Sequence, residues 1–522
     1  MTEAILWTGG RIFTGERYVE SLLVEDGRVA FAGPLPDARR RAPTGVEREE
    51  LSGRLAIPGL VDAHLHLAEI ARARDALDLS RARSIEEIRT LVARWADGHA
   101  SGPIVGRDWQ TDRLREGRPP TARDLDSAAP ERPVVLYHAS GHAAALSTAA
   151  LGASGLDRDR TGFRDGTVGR AADGSPNGLL YEGALRALAR WVDEALPLSA
   201  ERLEATLDSL PSVGLTRVGT VSTGPDESQA LRDLACSGRM AISVRAYVRL
   251  FQLGEYPDPL LAARTDRFSI VGTKAFIDGA FGPRTAWLSE PYADDPSTSG
   301  IAVGDEADLA AKIELAAARG LAPALHAIGD RGVERASRLL APWTGRPGPP
   351  ARIEHAALTP PGTLGLLDRI RPTLVVQPEF VWNDWWLAAR LGAARARWAY
   401  LFRSLVDRGH RLAGSSDAPY GPVDPFRGLR AAVSRRDALG RSANPDPGEA
   451  LGSEEALALY TRGAAEALGD LSEGRLEAGC AADLVVVGAS RLSEAIRSDG
   501  VPVRETWIAG RKVHPAPPGE TV

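Results

Sequence analysis

Five short segments, VDAHLHL, VGTKAFIDGA, ALHAIGDRG, RIEHAAL and GSSDAP, carry His64 and His66, Lys274, His326, His355 and Asp417 in chain order. Imidazole nitrogens and carboxylate oxygens are the ligands of catalytic divalent metals, which activate water at neutral pH. On an extended strand the i, i+2 spacing of His64 and His66 turns both rings to one side, a bite for one metal. His-x-His alone is weak evidence, and an isolated Asp417 before Ala-Pro is more simply a turn former. The ordered set is stronger than its members, because each one ends a separate apolar run.

Lys274 is singular for a second reason. Lys and Arg together number 63, yet lysine occurs only at 274, 312 and 512. Lys274 lies in the apolar run FSIVGTKAFI, where an unpaired ammonium is costly. Either it has a partner, with Asp278 the nearest acid in sequence, or it does chemistry that needs an amine able to lose its proton.

Strands at 57–67, 215–221, 242–248, 268–277, 322–329, 351–358, 371–380 and 411–420, with helical patterns such as 306–319 and 395–408 between them, would position these residues. This alternation predicts an α/β fold, a (β/α)8 TIM-like barrel, whose active site forms at the C-terminal ends of the strands. The interval of about 68–210 is too long for one crossover and reads as an insertion after the first strand. Short strands and turns at both ends predict a small β-sandwich built from 1–57 and 470–522, leaving 58–469 as the barrel. His99, His410 and His514 fall in helix, turn and tail contexts and read as surface residues.

After the seventh strand comes PEFVWNDWW, with Phe380, Trp382, Trp385 and Trp386. One reading is an apolar lid over the site, implying a substrate with a hydrophobic or aryl part. The other is a packed helix start or a subunit contact, which admits a homo-oligomer.

Composition narrows the partners. A net charge of -6 without a basic stripe argues against nucleic acid. No apolar run is long enough for a membrane span, and the start lacks a signal-peptide pattern. Two cysteines without a CxxC suit a reducing cytoplasm, the expected location.

PGLVDAHLHL, TKAFIDGAFGPRTAWL, LHAIGDRGV, RIEHAAL and GSSDAP together resemble the metal-dependent amidohydrolase superfamily, and within it the amidohydrolase-3, YtcJ-like branch that includes N-substituted formamide deformylases. GRLEAGCAADLVVV and VRETWIAGRKV are similar to the return of such chains to the terminal sandwich. The resemblance implies that His64 and His66 hold one metal with Asp417, and that His326 and His355 hold a second. It implies that Lys274, carboxylated as in many members, bridges the two. Zinc suits the nitrogen-rich set, with manganese, iron or a single metal as alternatives. Asp417 would take the proton of the activated water and pass it to the leaving amine.

YHASGHAAALSTAAL also resembles the branch, and by that resemblance His142 would bond the substrate carbonyl; its other reading is helix-end packing. Ser147-Thr148 replaces the usual Asn-Ser, and Asp108 stands where a glycine often precedes the tryptophan matched here by Trp109, which also counts toward the substrate site. Asp330 and Arg331 of GDR would position the ligands without binding metal. The expected activity is hydrolysis of a non-peptide C–N bond in a small molecule: an amide, an N-substituted formamide or a cyclic amide. Hydrolysis of a C–O or P–O ester, or a non-catalytic metal-binding role on the same barrel, are the alternatives.

Overall fold

Runs such as TLVV, apolar at every position, form strands only where both faces are covered. The computed structural model describes residues 4–99, 101–157, 166–498 and 500–515. Residues 1–3, 499 and 516–522 of the expected sandwich, and 100 and 158–165 of the expected insertion, lie outside this range.

The barrel strands are β1 (Leu60–Leu65), β2 (Leu215–Thr223), β3 (Ser243–Arg249), β4 (Phe268–Phe276), β5 (Ala322–Ala327), β6 (Arg352–His355), β7 (Thr373–Val376) and β8 (Leu412–Gly414). They pair in chain order and every pair is parallel. Among the described residues no ladder joins β8 to β1. The seam is drawn shut just beyond the strands, where Asp417 N–H donates to His64 O at 2.9 Å and His66 N–H to Ala418 O at 2.8 Å. The buried Asp62 carboxylate also accepts the Ser416 N–H at 3.1 Å. The bonds that close the barrel therefore run through the residues singled out for chemistry.

Helices cover the outside. Asp305 caps the helix Glu306–Ala317, accepting the N–H groups of Ala307 and Asp308 at 3.0 Å. The helix expected over 395–408 is divided into Ala393–Ala396 and Phe402–Asp407. Ala399 bridges to Leu358, and Tyr400 takes a φ of 54°, neither of which a continuous helix allows.

The expected first strand is also divided. Leu55–Pro58 belongs to a terminal sheet, and the chain enters the barrel at Gly59, whose N–H donates to Asp483 O at 2.8 Å. That six-stranded sheet runs Arg511–His514, Val503–Ile508, Leu484–Val487, Leu55–Pro58, Arg11–Phe13, Tyr18–Val19, mixing strands from both ends of the chain. A four-stranded sheet of N-terminal strands shares its core, where Trp7 meets Trp507 edge to face at 4.6 Å. The insertion builds its own six-stranded sheet from strands between Leu77 and Glu182. Buried Arg390 of the barrel fastens it, donating to Asp112 at 2.7 Å. Among the described residues no helix is long and apolar enough to cross a membrane.

Candidate metal centre

His64 and His66 come from the end of β1, Lys274 from β4, His326 from β5, His355 from β6, and Asp417 from the turn after β8. Asp417 Oδ1 lies 3.2 Å from Nε2 of both His64 and His66. Lys274 Nζ is 3.4 Å from His64 Nε2. The rings of His355 and His326 are 4.4 Å apart, and those of His64 and His355 5.3 Å. His355 and Asp417 hold left-handed φ angles of 75° and 55°. Such backbone is costly for a non-glycine residue and persists where the surroundings dictate it, as they do in functional sites.

The outer nitrogens of two rings are taken. His64 Nδ1 donates to Glu354, and His355 Nδ1 to Gln377 Oε1 at 2.7 Å. Each bond occupies Nδ1 and leaves Nε2 to act as a ligand. Ligand atoms of His64, His355 and Asp417 lie within 4.8 Å of one another, a spacing that fits one ion. His326 is oriented the other way, its Nε2 donating to Gly279 O at 3.2 Å.

Electrostatics agree with this donor set. Burial lowers the pKa of His66, drives that of His355 to about 3 and that of His326 well below the ordinary value, so their rings stay neutral. Burial likewise pulls Lys274 down to about 8, against the opposing pull of Glu354 and Asp417. Glu354 is the reverse case. Burial would raise it, but the Arg352 guanidinium at 2.6 Å and His64 hold it at about 2. Asp278 does not pair with Lys274. It accepts the N–H groups of Trp287, Ile328 and Gly329 at 2.8–3.0 Å and fixes the turn after β5.

His142 reaches the centre from the insertion. Its ring sits 4.8 Å from that of His326 and 5.9 Å from Phe276. Nδ1 is 2.9 Å from Glu182 Oε2, and that carboxylate raises the imidazole's pKa against the effect of burial. Gly279 leaves room for that carboxylate, since a Cβ there would stand 2.1 Å from Glu182 Oε1 and force it to move. His142 and the barrel ligands line one cleft of about 1660 Å³.

Other residues singled out in the sequence lie off that cleft. Trp109 is 2% exposed, packed in the insertion core with its indole N–H donating to Leu136 O at 2.9 Å. Phe380, Trp382 and Trp386 are half-buried against the main core, and Phe380 lies parallel to His355 at 6.5 Å. Asp330 is buried and accepts the Ser289 N–H at 2.9 Å, while Arg331 is exposed. His410, read as a surface residue, is buried against Asp368 at 3.0 Å. Sequence reasoning missed Glu354, Gln377, Glu182 and Tyr420. Only Glu354, beside His355, had a signal: a charged residue inside an apolar strand.

An eight-stranded α/β barrel with metal-type donors gathered at the C-terminal ends of its strands defines the class. The chain belongs to the amidohydrolase family, whose model matches residues 49–514, and the protein is a hydrolase. It is 30% identical over 538 residues to the putative amidohydrolase YtcJ of Bacillus subtilis, covering 98% of this chain and 99% of that one. It is 27% identical over 490 residues to an N-substituted formamide deformylase of Arthrobacter pascens, covering 90% of each. An uncharacterized metal-dependent hydrolase from Pyrococcus horikoshii has a similar structure, with a TM-score of 0.76 and 30% identity over 93% of this chain and 97% of that one.

Proposed function

We propose that the protein hydrolyses a non-peptide C–N bond, in an amide, an N-substituted formamide or a cyclic amide, of a small molecule with an apolar or aryl part. The observation that carries this reading is the convergence of His64, His355 and Asp417 within 4.8 Å on the wall of the cleft. The similarity to a formamide deformylase supports the choice of bond, and the ring of Phe276, 5.0 Å from His326, supports the apolar part.

His64, His66 and Asp417 would hold one metal and His326 and His355 a second, with His355 close enough to His64 and Asp417 to serve a single ion instead; Lys274, as a carbamate, would add an anionic ligand, and zinc suits the donors. When bound, the metal supplies an activated water and a polarised carbonyl. Asp417 accepts the water's proton and returns it to the leaving nitrogen. His142, held through Nδ1 by Glu182, presents its other nitrogen to the substrate's carbonyl oxygen.

The test is a screen of N-substituted formamides, N-acyl amines and cyclic amides beside matching esters, on chelated and on zinc- or manganese-reconstituted protein. Metal-dependent cleavage of amides is expected. Cleavage of esters alone, or full activity in verified metal-free protein, overturns the reading.

A further inference from the structure

One cation on the cleft wall, Arg107, is held only by long contacts among the described residues. Arg107 lies on the insertion strand Ile104–Trp109, where the pairing with Val134–His138 shifts register between Arg107 and Trp109 and Asp108 takes a φ of 74°. Such a bulge re-aims a side chain. It leaves Arg107 lining the cleft yet only 9% exposed. Nε has no hydrogen-bond partner and stands 3.5 Å from Asp108 Oδ2, and one terminal nitrogen is 3.5 Å from Glu69 O. The first is an ion pair and the second a hydrogen bond at its longest reach. The neighbouring cation, Arg72, is paired at 2.8 Å to Asp193 and at 3.2 Å to the Glu69 carboxylate. A buried guanidinium whose contacts are this long and whose Nε is unbonded keeps donors for an acceptor that arrives from outside.

Two more donors face the same space. The Arg107 guanidinium carbon is 5.9 Å from the centre of the Tyr420 ring, and that ring is 5.3 Å from His66. Gly141 leaves room for the Tyr420 edge, since a Cβ there would stand 2.9 Å from its hydroxyl. Tyr137 lines the cleft beside them. Neither phenol hydroxyl has a hydrogen-bond partner among the described residues, and a phenol offers an O–H donor at neutral pH.

We propose that Arg107, with the hydroxyls of Tyr137 and Tyr420, forms a carboxylate-binding subsite one aromatic ring away from His66, so that the substrate carries a carboxylate besides the bond it loses. A singly charged planar anion matches one guanidinium edge. Asp108 and Glu69 repel any anion here, a dianion such as a phosphate monoester more than a carboxylate. The assignment rests on this cleft being where the substrate reacts.

Binding tests it without requiring turnover. Calorimetry on zinc-loaded enzyme compares N-formyl derivatives of glycine, alanine and phenylalanine with their C-terminal carboxamides. The acids of at least one pair are expected to bind roughly 10–100-fold more tightly than the amides. In Arg107→Gln and Arg107→Met that preference falls to about one, and Arg107→Lys retains part of it. Equal binding of acid and amide throughout, no binding of any acid, or a preference that survives Arg107→Gln overturns the subsite. A failure of C–N hydrolysis shows separately, as an acid preference without turnover.

Discussion

His355 Nδ1 on β6 donates to Oε1 of Gln377, the residue after β7, at 2.7 Å, and the Gln377 amide in turn donates to Ser415 Oγ at 2.8 Å. A chain of neutral hydrogen bonds across the last three strands thus aims the His355 ring. Gln377→Leu removes the acceptor while keeping the volume. Metal affinity is expected to fall about 10–100-fold, the usual effect of losing an outer partner of a ligand histidine. Competition with a chromophoric chelator measures it; affinity equal to that of the parent would show that the ring is held by packing alone.

Asp417→Asn should leave the fold in place, because the backbone bond from Asp417 N–H to His64 O does not depend on the side chain. An amide cannot accept the water's proton, so turnover should drop ~10²–10⁴-fold or more. Steady-state rates together with circular dichroism separate this from unfolding. Parent-level activity would remove Asp417 from the base role.

Lys274→Arg keeps a cation but cannot form a carbamate, and should leave the protein short of metal when measured by inductively coupled plasma analysis. Lys274→Ala should be equally inactive, with partial recovery in formate or acetate as a replacement bridge. The direct observation is intact mass on active enzyme prepared with bicarbonate and metal. Unmodified Lys274 there would return the residue to an ion-pair or substrate-binding role.

Glu227, in the first turn of the helix after β2, supplies a pH test away from the ligands. Burial raises its pKa from an ordinary 4.5 to about 7, against Arg249 and Arg72. The folded state therefore holds this proton where the unfolded chain has lost it. The group's contribution to stability falls as pH rises from about 4.5 to 7. Glu227→Gln keeps an acceptor for the Ala68 N–H and abolishes the titration. Its Tm should gain on the parent at pH 8 relative to pH 5, by a stability difference on the order of 2 kcal/mol. An identical Tm gap at both pH values would mean that Glu227 is ionised in the fold throughout.

The barrel was legible because parallel strands covered on both faces read as unbroken apolar runs, and a polar residue that ends such a run stands out. His64, Lys274, His326 and His355 were found this way. Their partners were not, because a hydrogen bond such as His64 to Glu354 depends on how strands almost 300 residues apart lie against each other. The same limit explains the tryptophans. Their place after β7 was readable, but the side to which a short helical turn points them follows from packing that no local spacing encodes. Arg107 gave no signal, since one arginine among so many is recognisable only by its place on the cleft wall.

The paired strands Leu55–Pro58 and Leu484–Val487 impose a schedule on synthesis. With roughly 430 residues between them, translation at ~5–20 residues per second keeps the first strand waiting about 20–90 seconds for the second. Throughout that interval its apolar edge is open to any nascent chain nearby. The barrel has emerged before the sheet that receives its entry strand is complete, so a message truncated beyond Asp417 but before Leu484 would yield a product that carries every metal-type donor and still aggregates.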